Sequence, residues 1–175
     1  MKIKLLVVLI LSLSSLAINA DERLYKIELV IFEQDMPNTE IFDQTESEIV
    51  WPKKVVDRLS YQQVDTEFLM LKDSYTKLAR SRNYRPLMHV AWIQKVKSNQ
   101  YSTAVQITNP EKTINGFFRL QRGNLVHMIA DIEYSSGDTI FRLNEKRRFK
   151  LNETHYLDHP QFGVIARISP VTKDN

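Results

Sequence analysis

The segment from residue 117 to 149 constrains the fold most strongly, because it carries three strand-like runs joined by short turns. Residues 117–122 and 125–134 flank Gly123-Asn124, a pair that favours a tight two-residue hairpin turn. Residues 139–149 then alternate apolar and polar side chains with the period of two that is typical of a strand. The sequence therefore predicts a three-strand antiparallel meander.

Four further runs show strand-like alternation, at residues 24–32, 84–94, 101–107 and 161–168. The run at 84–94 has apolar side chains on both faces, with Trp92 on one face and His89 among the residues of the other. A strand of this kind is usually covered on both sides. We expect it to lie in the centre of a sheet.

The best helical pattern runs from Glu67 to Arg82, where apolar residues recur at spacings of three and four. Asp65-Thr66 precede it as candidate caps, and Asn83 follows as a plausible stop. Basic residues near its end suit the negative pole of the helix dipole. The apolar stripe predicts that this helix packs on a sheet.

Together these elements indicate an α+β fold: a single domain built on a mainly antiparallel or mixed sheet of about six to seven strands, with one principal helix packed on it. Residues 33–66 lack strand or helix periodicity and are rich in acidic and turn residues. A connection of this length is uncommon in a compact domain. We interpret it as an acidic surface connection anchored by Trp51 rather than as a binding loop.

Residues 1–20 have the organisation of a secretory signal peptide. Two lysines precede an apolar run from Leu5 to Leu13, and a small-residue cleavage site ends at Ala20. The run is shorter than the roughly twenty apolar residues that a spanning helix needs. We expect export to the periplasm, with residues 21–175 as the mature domain. Because the chain has no cysteine, disulfides and a lipid-modified cysteine are both excluded.

Charge is distributed unevenly along the mature chain. Acidic side chains outnumber basic ones over residues 21–73, and basic ones outnumber acidic ones over residues 74–175. The two parts can attract each other within the fold. A basic face can also meet an anionic polymer of the envelope, such as the carboxylates of peptidoglycan or the phosphates of lipids.

Residues 145–163 hold the densest group of polar side chains. His155, Asp158 and His159 form H-x-x-D-H, which binds a metal only if the chain bends at residues 157–158 and a third ligand such as His127 or Glu153 joins. The more ordinary interpretation is that Asp158 caps the turn before Pro160 and the histidines bond to nearby backbone.

The sequence offers no support for catalysis. No spacing fixes two carboxylates at reacting distance, and G-x-S-x-G, H-E-x-x-H and a phosphate-binding glycine loop are all missing from the sequence. We expect a protein that is not an enzyme and that uses no cofactor.

Four segments resemble the CsiV family of peptidoglycan-binding proteins, also described as penicillin-binding protein activators. They are Y-K-I-E-L-V-I-F (25–32), Y-R-P-L-M-H-V-A-W-I-Q (84–94), G-F-F-R-L-Q-R-G-N-L-V-H-M-I-A-D-I-E-Y (116–134) and E-K-R-R-F-K-L-N-E-T-H-Y-L-D-H-P-Q-F-G-V-I (145–165). The resemblance implies a periplasmic protein of Gram-negative bacteria that binds the cell wall and supports wall synthesis and cell shape. It also implies partnership with the outer-membrane lipoprotein that activates a class A penicillin-binding protein.

Three functions follow as hypotheses. In the first, the chain binds peptidoglycan directly, and its candidate contacts are Arg147, Arg148, His155, Tyr156, His159 and Trp92. Arginine forks suit the carboxylates of the peptide stems, and an aromatic ring suits a sugar or peptide. In the second, the chain is an interaction module for envelope proteins that reaches the wall only indirectly. The third and weakest is a metal-dependent wall hydrolase that uses the histidines and aspartate of H-x-x-D-H.

Overall fold

The computed structural model describes residues 22–35 and 48–172, in which two β-sheets pack against each other and a single α-helix lies outside them. The elements are β1 (Glu22–Gln34), β2 (Val55–Asp57), β3 (Gln62–Gln63), α1 (Lys72–Arg80), β4 (Tyr84–Lys97), β5 (Gln100–Tyr101), β6 (Ala104–Thr108), β7 (Ile114–Arg122), β8 (Val126–Ser136), β9 (Thr139–Phe149), β10 (Thr154–His159) and β11 (Phe162–Pro170).

The first sheet has the strand order β10-β11-β1-β4-β3, and all of its pairs are antiparallel. The second has the order β2-β6-β7-β8-β9, with β5 also paired to β7, and only β2 and β6 run parallel. The α+β class and the mainly antiparallel character are confirmed. The expectation of one sheet of about six to seven strands is wrong, since the described residues form eleven strands in two sheets. Alternation shows which face a side chain occupies but not which sheet its strand joins.

The main core lies between the two sheets. The inner face of β1 contributes Ile27, Leu29 and Ile31, each 0% exposed, and meets side chains of the second sheet such as Phe118. Trp92 on β4 crosses the interface, with its ring centroid 6.0 Å from that of Phe118 in an edge-to-face arrangement. Burial of apolar area at about 25 cal/mol per Å² is the main stabilising contribution of such a core.

Helix α1 packs on the outer face of the first sheet and is shorter than predicted. Thr66–Phe68 form a 3-10 turn, and the α-helix begins only at Lys72. The carboxylate of Glu28 on β1 accepts hydrogen bonds from the backbone N–H groups of Met70 (2.9 Å) and Leu71 (2.8 Å). A contact from the sheet therefore marks the start of the helix, in place of the predicted caps. The double cover of β4 is confirmed, since Trp92 faces the core and His89 stacks under Tyr75.

The meander of β7, β8 and β9 is confirmed, with one change in its turns. Arg122 pairs with Val126, so the first hairpin has a three-residue connection and not the predicted two-residue turn. The two-residue turn occurs in the second hairpin, where Ser136 pairs with Thr139. Gly137 adopts a positive φ of 59° there, a conformation that glycine allows without steric cost.

The predicted connection at 33–66 contains more structure than its sequence suggests. Strand β1 continues to Gln34, β2 adds an edge to the second sheet, and β3 adds an edge to the first. Trp51 packs on the outer face of the second sheet, with its ring 5.9 Å from that of Phe117. Residues 36–47 and the predicted signal at 1–20 lie outside the described residues. Among the described helices, none is long and apolar enough to cross a bilayer.

Candidate functional site

The structure removes Trp92 from the set of candidate contacts. Its side chain is 0% exposed between the sheets, and its indole N–H donates to Oε1 of Gln94, itself buried, at 3.3 Å. The expectation that the Trp92 ring meets a sugar or peptide is therefore corrected. The apolar residues on both faces of β4 correctly indicated a central strand. Because a central strand is covered by the rest of the fold, Trp92 is out of reach of a ligand.

Arg147 and His155 lie where β9 meets β10, and both are held by nearby groups. The Nε of Arg147 is 2.5 Å from a carboxylate oxygen of Glu145, and its Nη1 donates to the carbonyl of Tyr156 at 2.9 Å. His155 packs on Phe149, with ring centroids 3.9 Å apart, and its Nε2 lies 3.3 Å from the Lys150 carbonyl oxygen. These contacts join the edges of the two sheets.

His159 is also engaged by its neighbours. Its ring packs against Phe141 and Phe162, and its Nδ1 accepts a hydrogen bond from the backbone N–H of Gln161 at 3.2 Å. Burial lowers the pKa of His159 below its usual value, while the negative charge of Asp158 opposes that shift. The local backbone bonds predicted for both histidines are present.

Tyr156 points to the opposite side of β10 from His155 and His159. Its ring stacks on Phe32 with centroids 6.0 Å apart, and its hydroxyl donates to Asp158 at 2.6 Å. Burial, and then this bond to Asp158, raise the pKa of Tyr156 well above its ordinary range. The carboxylate of Asp158 therefore faces away from the two histidines.

The H-x-x-D-H motif consequently does not assemble a metal site. The bend at residues 157–158 that a metal site would require is absent, because Thr154–His159 is a regular strand whose successive side chains alternate. Within residues 22–35 and 48–172, no group of three or more His, Asp or Glu side chains is placed to hold a metal ion. The hydrolase hypothesis loses the geometry on which it depended.

Arg148 occupies a different surface from the other candidates. It is exposed on the outer face of the second sheet, where it pairs in register with His127 of β8. The six predicted contacts are therefore dispersed over the core, the sheet edge and two opposite faces. They do not form one site.

A more coherent site surrounds Arg148. We call it the cationic face and define it by Tyr101 at the end of β5, Arg119 on β7, and Lys146 and Arg148 on β9. Register places Arg119 opposite Ile129 of β8, and Ile129 opposite Lys146, so the two cations lie in one row across three strands. Adjacent strands are about 4.8 Å apart, which puts the charges of this row within reach of a single ligand.

Tyr101 brings the side chains of this row together. The Cζ of Arg119 lies 4.3 Å from the centroid of its ring, and the Nζ of Lys146 lies 5.5 Å from the same centroid. Lys146 also donates to the Tyr101 hydroxyl at 3.3 Å. The ring centroid of Phe117, a buried residue, lies 5.7 Å from the Cζ of Arg119. The Tyr101 ring is therefore 48% exposed and flanked by two cations, Arg119 and Lys146.

The charges of the cationic face are not neutralised by described residues. The Nε of Arg119 is buried and has no hydrogen-bond partner, and neither Lys146 nor Arg148 forms an ion pair within residues 22–35 and 48–172. Arg142 on the same face differs, because Asp131 pairs with it at 2.7 Å and raises its pKa. Arg119 likewise forms no ion pair with a described residue, so its positive charge is available to an incoming carboxylate.

Sequence reasoning identified one member of this face, Arg148, and missed Tyr101, Arg119 and Lys146 as a group. Alternation alone assigns Arg119 to the face opposite Phe118 and Leu120, so its outward position was accessible from the pattern. The placement of Tyr101 beside it depends on the short pairing of β5 with β7. No local pattern in the sequence predicts that pairing.

Comparison with known proteins gives one match. A family model described as "Peptidoglycan-binding protein, CsiV" matches residues 44–127 and 119–171, which together span well over half of the chain. The searches of curated proteins and of solved structures returned no match. The matched ranges include β4 to β11 and thus the whole cationic face.

Proposed function

Because this chain belongs to the CsiV family of peptidoglycan-binding proteins, we propose that it binds the cell wall directly, through the cationic face. The observation that carries this assignment is the pair of cations, Arg119 and Lys146, held on the exposed ring of Tyr101 without an ion pair to a described residue. A carboxylate ligand supplies the opposite charge that these two side chains lack. Family membership supports a location in the cell envelope.

The chemistry of peptidoglycan fits this face. Its peptide stems carry carboxylates, and an arginine fork binds a carboxylate through two parallel hydrogen bonds. Lys146 and Arg148 add exposed positive charge next to that fork. The exposed Tyr101 ring offers a flat apolar surface to the rest of the ligand. Binding thus combines one specific carboxylate contact with a general electrostatic attraction.

The proposal extends to a role in wall synthesis and cell shape. In it, the chain works in the periplasm with the outer-membrane lipoprotein that activates a class A penicillin-binding protein. A surface remote from the cationic face supports the presence of a protein partner: Phe68, Met70 and Tyr156 on the outer side of the first sheet are 59%, 58% and 42% exposed. A protein partner that covered these side chains would remove their apolar area from water, which is favourable.

The same apolar residues favour a second candidate function, an interaction module that reaches the wall only through its partner. Purified sacculi freed of protein distinguish the two functions, because only a direct binder sediments with them. We expect the purified mature domain to sediment with such sacculi and to be released as salt rises, since exposed charge contacts are screened.

Substitution then tests the site. We expect Arg119→Ala/Lys146→Ala to lower binding to sacculi by about tenfold or more, as loss of charge-assisted hydrogen bonds predicts. The matched control is Lys77→Ala/Arg80→Ala, which removes the same charge from exposed positions on α1. Because Arg119 is partly buried, Lys146→Glu/Arg148→Glu provides a second test at exposed positions. If both test variants bound sacculi as tightly as the wild type, the cationic face would not be the binding site.

A further inference from the structure

Two turns of the chain meet beside the cationic face and line an open cavity of about 320 Å³. One is the turn between β4 and β5, where Asn99 adopts a positive φ of 56°. The other is the three-residue connection between β7 and β8, which contains Gly123 and Leu125. A hydrogen bond from the Gly123 N–H to the Leu125 carbonyl (3.0 Å) closes that connection on itself.

The cavity is lined mainly by neutral polar groups. The side-chain amides of Asn99, Gln121 and Asn124 each offer both a donor and an acceptor. Leu125, 42% exposed, supplies an apolar lip. Arg122 also lines the cavity, but it is buried and its Nη1 is directed at the Val96 carbonyl at 3.5 Å. Among residues 22–35 and 48–172, none contributes a carboxylate to the lining.

Register connects the cavity with the cationic face. Gln121 pairs with Tyr101 on one side and with His127 on the other, and His127 pairs with Arg148. Gln121 and His127 both line the cavity. Tyr101 and Arg148 therefore lie within one or two strand spacings of the cavity, each spacing being about 4.8 Å. A ligand that fills the cavity can also contact both side chains.

Resting on the proposed function, we infer that this cavity is a subsite for a single N-acetylated amino sugar of the glycan strand. The amides complement the hydroxyl and acetamido groups of such a sugar, and Leu125 complements the acetamido methyl. The volume is at the lower end of the roughly 300–1,000 Å³ typical of small-molecule sites, which suits one ring rather than a chain. The peptide attached to that sugar then lies along the cationic face, with its carboxylates on Arg119, Lys146 and Arg148.

The inference is tested by calorimetric titration of the mature domain with two soluble probes. One is a disaccharide-tetrapeptide released from peptidoglycan, and the other is the same tetrapeptide without sugar. We expect the sugar-bearing probe to bind at least about fivefold more tightly, the gain expected from one or two added neutral hydrogen bonds. Asn124→Ala/Leu125→Ala should remove this difference and leave the affinity for the free tetrapeptide unchanged.

Both substituted positions are exposed in the connection, so the variant is expected to fold, and Gln121→Ala repeats the test within β7. Asn144→Ala, an exposed amide on β9 away from the cavity lining, is the matched control. Equal affinities of the wild-type domain for the two probes, or an unchanged difference in both cavity variants, would overturn the sugar subsite while leaving wall binding intact. Absence of binding to sacculi and to either probe would overturn the subsite and the proposed function together.

Discussion

The guanidinium carbon of Arg119 lies 4.3 Å from the centroid of the Tyr101 ring, although the two residues come from different strands and all of β6 lies between them in the chain. Lys146 approaches the same ring from β9. The negative face of an aromatic ring attracts cations and offsets part of their mutual repulsion. The remaining excess of positive charge favours an anionic ligand, and this relationship makes Tyr101 the centre of the proposed site.

Replacement of Tyr101 by alanine should weaken binding to sacculi severalfold, because it removes both the platform and the support for Arg119. Tyr101→Phe is the matched control. It keeps the ring under both cations and loses only the 3.3 Å hydrogen bond from Lys146, so we expect binding close to that of the wild type. Co-sedimentation with sacculi measures both variants, and equal binding by the alanine variant and the wild type would refute a role for the ring.

The neighbouring residues Arg147 and Arg148 provide a test with identical chemistry on opposite sides of one strand. We expect Arg148→Ala to lower affinity for sacculi by about threefold to tenfold, as loss of one charged contact predicts. Arg147→Ala should change it little, because Glu145 already neutralises that guanidinium. Salt titrations of both variants give the comparison. If Arg147→Ala lowered the affinity more than Arg148→Ala did, the binding site would instead lie at the edge between β9 and β10.

Buried Glu28 should make the stability of the fold depend on pH. Burial raises its pKa, but the hydrogen bonds from His89, Met70 and Leu71 together outweigh burial, so the net pKa is lowered from its ordinary value of 4.5. A carboxyl group whose pKa is lowered on folding contributes stability that is complete above pH 4.5 and is lost as the pH falls through its folded pKa.

Urea denaturation of Glu28→Gln should therefore show a free energy of unfolding about 1–3 kcal/mol below that of the wild type at neutral pH. As the pH falls, the free energy of unfolding of the variant should decrease less than that of the wild type. Glu22→Gln, at an exposed ion pair with Lys97, is the control and should change stability by less than about 0.5 kcal/mol. If the stability of Glu28→Gln and of the wild type decreased equally as the pH fell, groups other than Glu28 would control the acid dependence.

Gly163 should not tolerate a side chain. A Cβ at this position would lie 2.6 Å from Cζ of Phe32 and 2.7 Å from Cε2 of Tyr156, two rings that stack above it. We expect Gly163→Ala to destabilise the domain by about 1–3 kcal/mol, as overpacking does. Gly123→Ala is the control, since its nearest heavy atoms are 3.8 Å away. Thermal unfolding compares them, and equal melting temperatures would contradict the close approach.

The sequence by itself determined the local character of most of the chain. Alternation placed Phe162, Val164, Ala166 and Ile168 on one buried face of the last strand, and all four are 0% exposed. It also determined the meander, the double cover of β4 and the family resemblance. These properties follow from a period of two and from short motifs, which a single segment carries without reference to the rest of the chain.

Only the tertiary structure decided how the segments combine. Pairing partners divide the strands into two sheets, the carboxylate of Glu28 binds the backbone of the two residues just before α1, and the pairing of β5 with β7 sets Tyr101 beside Arg119. Each depends on contacts between residues far apart in the chain, whose free energy is set by packing and burial rather than by local preference. For this reason the dense polar segment at 145–163 supplies only Lys146 and Arg148 to the proposed site, and strands β5 and β7 supply its centre.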